Sequence, residues 1–195
     1  MLYNSLNLLV GKFASKSTMR PALSCVFFTP KLTAATDSFR LLEMSTPSDQ
    51  NVADYPNTGG AAMRGCEPFL VSAKDVLKIK IVKAKGLPIL DHVAVKSVSK
   101  ERVELMTGDL EVSDVKSMRR ITDEFPQYEQ IFPKTEALAE VKVNADYLIE
   151  LCEVLKKLDG AQAITIKMYG KTSPVVLEAS NARQSGRAML MPMNK

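Results

Sequence analysis

A catalytic or metal-binding reading of this sequence starts from one histidine, His92, and three cysteines, Cys25, Cys66 and Cys152. His92 has no Ser or Cys beside it in sequence with which to share a proton, so no nucleophile and base pair is indicated. The cysteines are odd in number, far apart and without CxxC spacing, which points to free thiols rather than a disulfide framework or a zinc site. GxSxG, P-loop and HExxH patterns are absent from the sequence. Gly59-Gly60 lacks the flanking strand and helix that a phosphate cradle requires and reads as a turn, while Glu150 and Glu153 fall on the polar side of an amphipathic stretch, where solvation explains them. The expectation is a protein that is not an enzyme and needs no cofactor or metal.

Charge says more than reactive groups do. The 195 residues carry a net +4, yet Ser72 to Arg102 alone is +5, from Lys74, Lys78, Lys80, Lys83, Lys85, Lys96, Lys100 and Arg102 against Asp75, Asp91 and Glu101. A local basic excess on a near-neutral background suits a polyanion met on one surface; a solvated lysine-rich face is the plainer alternative. Hydrophobic residues make up 46%, enough for a sizeable core. No apolar run approaches the roughly 18 residues of a membrane span, and Leu6 to Val10 is too short for a leader, so a cytoplasmic location is expected.

These residues must be positioned by elements, and the periodicities predict an α+β chain. Leu6, Leu9, Val10 and Phe13 recur at helical spacing within Tyr3 to Lys16. Strands are expected at Ala22 to Thr29, Leu32 to Ala35 and Arg40 to Met44, followed by a polar, Pro- and Gly-bearing connection from Ser45 to Glu67. A second unit opens at Phe69. There Ser72 with Asp75 resembles a capping box, and Ala73, Leu77, Ile81 and Ala84 share a helical face that runs to about Lys85 before Gly86. Lys78-Ile79-Lys80-Ile81, taken alone, alternates as a strand would. Strands follow at His92 to Val98, Arg102 to Thr107 and Glu111 to Met118, with turns at Ser99-Lys100 and Gly108-Asp109.

The third unit repeats the plan: a strand at Val141 to Val143, Asn144 as N-cap, and a helix through Leu148, Leu151, Cys152, Leu155 and Leu158 to Gly160. Strands at Ala163 to Met168, Val175 to Ala179 and Ala188 to Met191 complete it. The organisation is a helix with about three antiparallel strands, three times over. Stacking two such units buries the apolar face of each more fully, so an odd unit predicts self-association or an incomplete chain.

Several segments act as motifs. Arg20-Pro21-Ala22-Leu23, then Ala35-Thr36-Asp37-Ser38-Phe39-Arg40-Leu41, resembles the "RPxL … ATDxxRL" signature in the middle domain of the bacterial DNA sliding clamp, the polymerase III beta subunit. Phe125-Pro126-Gln127-Tyr128 with Ile131-Phe132-Pro133 is similar to the "FPxYxxxxP" that closes that domain. Val143 to Leu148 resembles "FNxxYL" before the family's last helix, Ser173 to Leu177 its penultimate strand, and Met189-Leu190-Met191-Pro192-Met193 its terminal "MPM". The motifs occur in family order and span nearly the whole chain. They assign 1–134 to a clamp domain of two units like the middle domain, and 135–195 to a half domain like the end of the third. The family's first domain and the first half of its third have no counterpart.

The resemblance implies a DNA-clamp fold and a processivity factor that encircles duplex DNA without sequence preference and tethers the replicative polymerase, the clamp loader and other proteins bearing clamp-binding motifs. It implies a homo-oligomeric ring. Ring-lining cations would be Lys12, Lys16, Arg20, Lys74, Lys78 and Lys85, with Lys156 and Lys157 weaker because Glu150 and Glu153 mix the sign of their helix. The partner-peptide pocket would use Leu23, Thr36, Ser38, Phe39, Arg40, Leu41, Pro133, Pro174, Met189, Met191, Pro192 and Met193. The alternative is a clamp-derived interaction module that binds such peptides without encircling DNA.

Overall fold

The computed structural model describes residues 2–17, 19–47, 67–81, 91–108, 112–158 and 163–193. The chain divides into two compact units, Met1–Gln127 and Tyr128–Lys195.

In the first unit, strand β1 (Leu2–Asn4), helix α1 (Ser5–Leu9) and strands β2 (Cys25–Phe28), β3 (Leu32–Thr36) and β4 (Leu41–Ser45) form one half. Strand β5 (Phe69–Ser72), helix α2 (Ala73–Val76) and strands β6 (His92–Val98), β7 (Arg102–Gly108) and β8 (Ser113–Ile121) form the other. They share one sheet in the order β1-β6-β7-β8-β5-β2-β3-β4. Each half thus lends its leading strand to the other. The register of the exchange is anchored at the helix starts: Asn4, the residue before α1, pairs with His92, and Ser72, the residue before α2, pairs with Cys25. One step back, Tyr3 faces Val93 and Val71 faces Val26, and all four side chains are completely buried. Phe28 stacks on Phe69 and takes the Tyr3 ring edge-on at 5.0 Å, so the core joins both halves.

The helices depart from expectation. The stretch from Tyr3 is not one helix: β1 precedes α1, and a 3-10 turn (Val10–Phe13) follows it. Its buried face is Asn7, Leu8, Val10 and Gly11, while Leu6 and Leu9 are exposed. The cause is Asn7, whose Nδ2 donates to Thr33 Oγ1 (3.2 Å) and to the Met44 and Ser45 carbonyls (3.0 and 3.1 Å), turning that face inward. Helix α2 ends at Val76, and Ser72 makes no side-chain cap. Ile79 and Ile81 leave the helix to pack on the core, so Lys78-Ile79-Lys80-Ile81 is neither helix nor strand. The expected continuation through Lys85 to Gly86 lies outside the described residues. A Cβ on Gly11 would meet Leu77 at 3.2 Å and Val26 at 3.3 Å, so the two helical segments touch closely here and a side chain would make its neighbours shift by a few tenths of an ångström.

In the second unit, helix α3 (Ala145–Leu155) is capped by Asn144, whose side chain accepts from the backbone N–H groups of Asp146 (2.9 Å) and Tyr147 (3.2 Å). Strands β9 (Thr165–Lys167), β10 (Val175–Ser180) and β11 (Ser185–Leu190) form a sheet in the order β11-β10-β9. Leu155, Val175, Leu177, Ala179 and Leu190 make its core. Leu155 Cδ2 would lie 2.8 Å from a Cβ on Gly186, so helix and sheet meet closely enough there that a side chain would make Leu155 move. Val141 to Val143 is not a strand. The Met193 N–H donates to the Lys142 carbonyl at 2.8 Å, and one such bond makes no ladder. The expected helix stop at Gly160 lies outside the described residues.

Candidate functional site

Of the six expected ring-lining cations, five are described and all are exposed. Lys12 sits in the 3-10 turn after α1, Lys16 just beyond it, Arg20 before a second 3-10 turn (Pro21–Ser24), Lys74 in α2, and Lys78 in the turn after it. Lys12 and Lys74 belong to the two helical segments that meet at Gly11. Lys78 Nζ is paired with Asp75 Oδ1 at 2.9 Å, so a phosphate must compete with that carboxylate for it. Lys85 lies outside the described residues.

Sequence reading missed the strand contribution. Arg102 and Arg119 are register partners across β7 and β8, and with Lys78 and Lys116 they line one shallow groove. Arg102 donates from Nε to Ser117 Oγ (2.9 Å) and from Nη2 to the Ser117 carbonyl (3.0 Å), which fixes its guanidinium. Asp75 and Asp114 pair with Lys78 and Lys116, so the groove is basic but partly neutralised. Its residues are scattered over some 40 positions, and no spacing rule would have gathered them without the β7–β8 register.

The expected peptide-contacting residues of the first unit form the β3–β4 turn and its surroundings. Thr36 Oγ1 donates to the Arg40 carbonyl (2.9 Å) and accepts from the Ser38 N–H (3.1 Å). Asp37 Oδ1 accepts from the N–H groups of Phe39 and Arg40, both at 3.0 Å, and Oδ2 from Arg40 Nε at 2.9 Å. Those bonds, the Arg40 side chain first, hold the Asp37 carboxyl below its ordinary value. They also sustain Ser38 at φ 77°, a left-handed conformation that a non-glycine residue adopts only under constraint. The result is a rigid tip on which Phe39 stands 97% exposed. Arg40 lies over the Phe13 ring, 5.1 Å from its centroid. Leu23 is buried and Leu41 half-buried, so these two reach a ligand at most along an edge.

In the second unit, Pro133 is exposed and Pro174 and Pro192 are half-buried. Met189, Met191 and Met193 are all substantially exposed, on or just after β11, whereas Leu190 between them is buried. Three apolar, flexible side chains therefore alternate outward at the end of the strand, where a core role does not account for them.

No catalytic arrangement emerges among the described residues. His92 sits in the β1–β6 ladder, and no three His, Cys, Asp or Glu residues lie together as a metal site. Burial raises the Cys25 thiol above its ordinary value, with its Sγ donating to the Pro21 carbonyl at 3.2 Å. No described helix is long and apolar enough to cross a membrane.

No family model and no curated protein matches the sequence. Solved structures do match. The beta chain of DNA polymerase III from Streptococcus pneumoniae superposes with a TM-score of 0.69 at 14% identity, over 100% of this chain and 49% of its own. The DNA polymerase sliding clamp from Bacillus subtilis gives 0.69 at 15% identity, over 98% and 48%. The DNA polymerase III subunit beta from Pseudomonas aeruginosa gives 0.61 at 15%, over 97% and 49%. The fold is therefore that of the bacterial sliding clamps, as the motifs implied, and the chain spans about half the length of the clamp chains it matches.

Proposed function

We propose that this chain works as a sliding clamp: several copies enclose duplex DNA, and the assembly tethers a polymerase and other proteins that carry clamp-binding peptides. The clamp fold, matched over the whole chain, is the observation that carries the reading. Enclosure needs no catalytic group, only weak phosphate contacts that permit sliding, and Lys12, Lys16, Arg20, Lys74, Lys78 and Lys85 are proposed to supply them. In the first unit Phe39 at its turn, with Leu23 and Leu41 near it, and in the second unit the Met189, Met191 and Met193 series, with Pro133, Pro174 and Pro192, are each proposed as apolar anchors for partner peptides. Because the chain spans only half of a clamp, a second reading is an interaction module that binds the peptide and never encloses DNA.

Retention on circular plasmid DNA during gel filtration, repeated after the circle is cut, tests this directly. Retention that is lost on cutting, with a salt slope that falls by about 0.9 for each phosphate contact removed in a Lys74→Ala, Lys78→Ala, Lys85→Ala triple variant, is expected of the clamp. Equal behaviour on circular and linear DNA removes enclosure. Peptide binding without DNA retention leaves the module.

A further inference from the structure

The first unit shows how two halves of this fold complete each other, and the second unit contains one half alone. In the first unit each leading strand has two edges. Strand β5 gives one edge to the end of its own half, where Leu70 pairs with Ile121, and the other to β2 of the opposite half, where Leu70 pairs with Phe27. The corresponding segment of the second unit is Val141 to Val143, which immediately precedes the capping Asn144 as Val71 precedes Ser72. Its Lys142 carbonyl already accepts from Met193 at the end of its own half, as Leu70 pairs with Ile121. The edge that β5 gives to β2 has no described counterpart at Val141 to Val143.

Among the described residues the matching acceptor edge is also open. β9 is the first strand after the helix, as β2 and β6 are, and β10 occupies one of its edges only. The helix-facing side chains tell the same story. Val26, Phe28, Val93 and Val95 on β2 and β6 are completely buried, whereas Ile166 is 52% exposed although its cross-strand neighbour Leu177 is fully buried. Met168 and, on α3, Ile149 are as exposed as Ile166. The core of the second unit is thus closed at β10 and β11 and open at β9.

Donor segment and acceptor edge lie at opposite ends of the β11-β10-β9 sheet, so one half cannot satisfy itself. We infer that the second unit pairs with the same unit of a second copy about a two-fold axis, Val141 to Val143 of each chain adding antiparallel to Thr165–Lys167 of the other. A two-fold pairing satisfies both edges at once, since each copy offers what the other lacks. It places Val143 against the helix-facing side chains of β9, as Val71 lies against Val26. It also sets the exposed Ile166 and Ile149 into a shared core. The inference rests on strand topology and side-chain exposure and does not depend on DNA or peptide binding.

Light scattering after gel filtration at about 100 µM tests it. The expected native mass is an even multiple of the chain mass, and Ile166→Glu, at a half-exposed position, halves it while the far-ultraviolet circular dichroism stays the same. A single-chain mass for the parent, or an unchanged mass for Ile166→Glu, overturns the pairing. A Val143→Cys, Ile166→Cys variant, oxidised with glutathione and run on a non-reducing gel beside the parent, reads the same contact without depending on how the charged variant folds. An interchain band beyond that of the parent is expected, and its absence counts against the pairing.

Discussion

Phe39 illustrates how little of a residue's role is set by its type. An aromatic ring at 97% exposure gains nothing from folding, so on a tip braced by Thr36 and Asp37 it is left available to a partner. Replacing Phe39 by Ala is expected to weaken a fluorescent clamp-binding peptide at least tenfold in an anisotropy titration, because burying a phenyl group contributes about 1.5 to 3 kcal/mol. The urea midpoint should correspond to a stability change within about 0.5 kcal/mol. An unchanged peptide affinity would remove Phe39 from the contact. The motif around this residue was legible in the sequence, but the left-handed Ser38 that aims it was not, since a serine gives no warning of positive φ. Asn7 was hidden more deeply. It looks like one more polar position on a surface helix, yet it is completely buried, and its amide reaches carbonyls on β4 almost forty positions away.

Elements were legible where their own periodicity decided them and obscure where a distant partner did. His92–Val98 and the strand from Arg102 were expected where they occur, because β-branched alternation between clear turns leaves few options. Helix α3 likewise follows from Asn144 and its leucine spacing. The misjudged region, Tyr3 to Phe13, carries helical spacing throughout, but its first two residues, Tyr3 and Asn4, are claimed by β6. Strand β9 is tied to β10 by charge as well as by its ladder. Lys167 Nζ lies 2.6 Å from Glu178 Oε2, and Arg187 Nε lies 3.3 Å from Oε1. The hydrogen bond from Lys167 holds the Glu178 carboxyl below its ordinary 4.5, and the same bond raises the lysine above 10.5. A depressed acid stabilises the fold above its unfolded value and loses that contribution as pH falls through the folded one; a raised base does so below its unfolded value and loses it as pH rises through the folded one. The Lys167–Glu178 bridge should therefore make its full, modest contribution to the β9–β10 pair between pH 4.5 and 10.5 and lose it progressively beyond either end. An NMR titration should put the Glu178 midpoint below 4.5 and, in Glu178→Gln, return Lys167 toward 10.5. A Glu178 midpoint at or above 4.5 would show the bridge to be unimportant in solution.

At the scale of the molecule, the reciprocal exchange of leading strands in the first unit sets the order in which it can be assembled. Strand β1 has its ladder partner in β6, with Leu2 opposite Ala94, and among the described residues no strand between them pairs with it. A nascent chain must carry Leu2 and Tyr3 unpaired until about ninety further residues have been made, and contacts of that separation slow folding because a large loop closes before they reward it. The first half is consequently expected not to fold ahead of its twin, for its own core residue Tyr3 is completed by Val93 of the other half. A fragment ending at Ile81 should show no cooperative urea transition by circular dichroism, whereas the whole chain should; a sharp transition in the fragment would mean that β1 had found another partner. During synthesis the first unit is therefore an all-or-nothing object, exposed to aggregation and to chaperones for as long as the ribosome has yet to deliver β6.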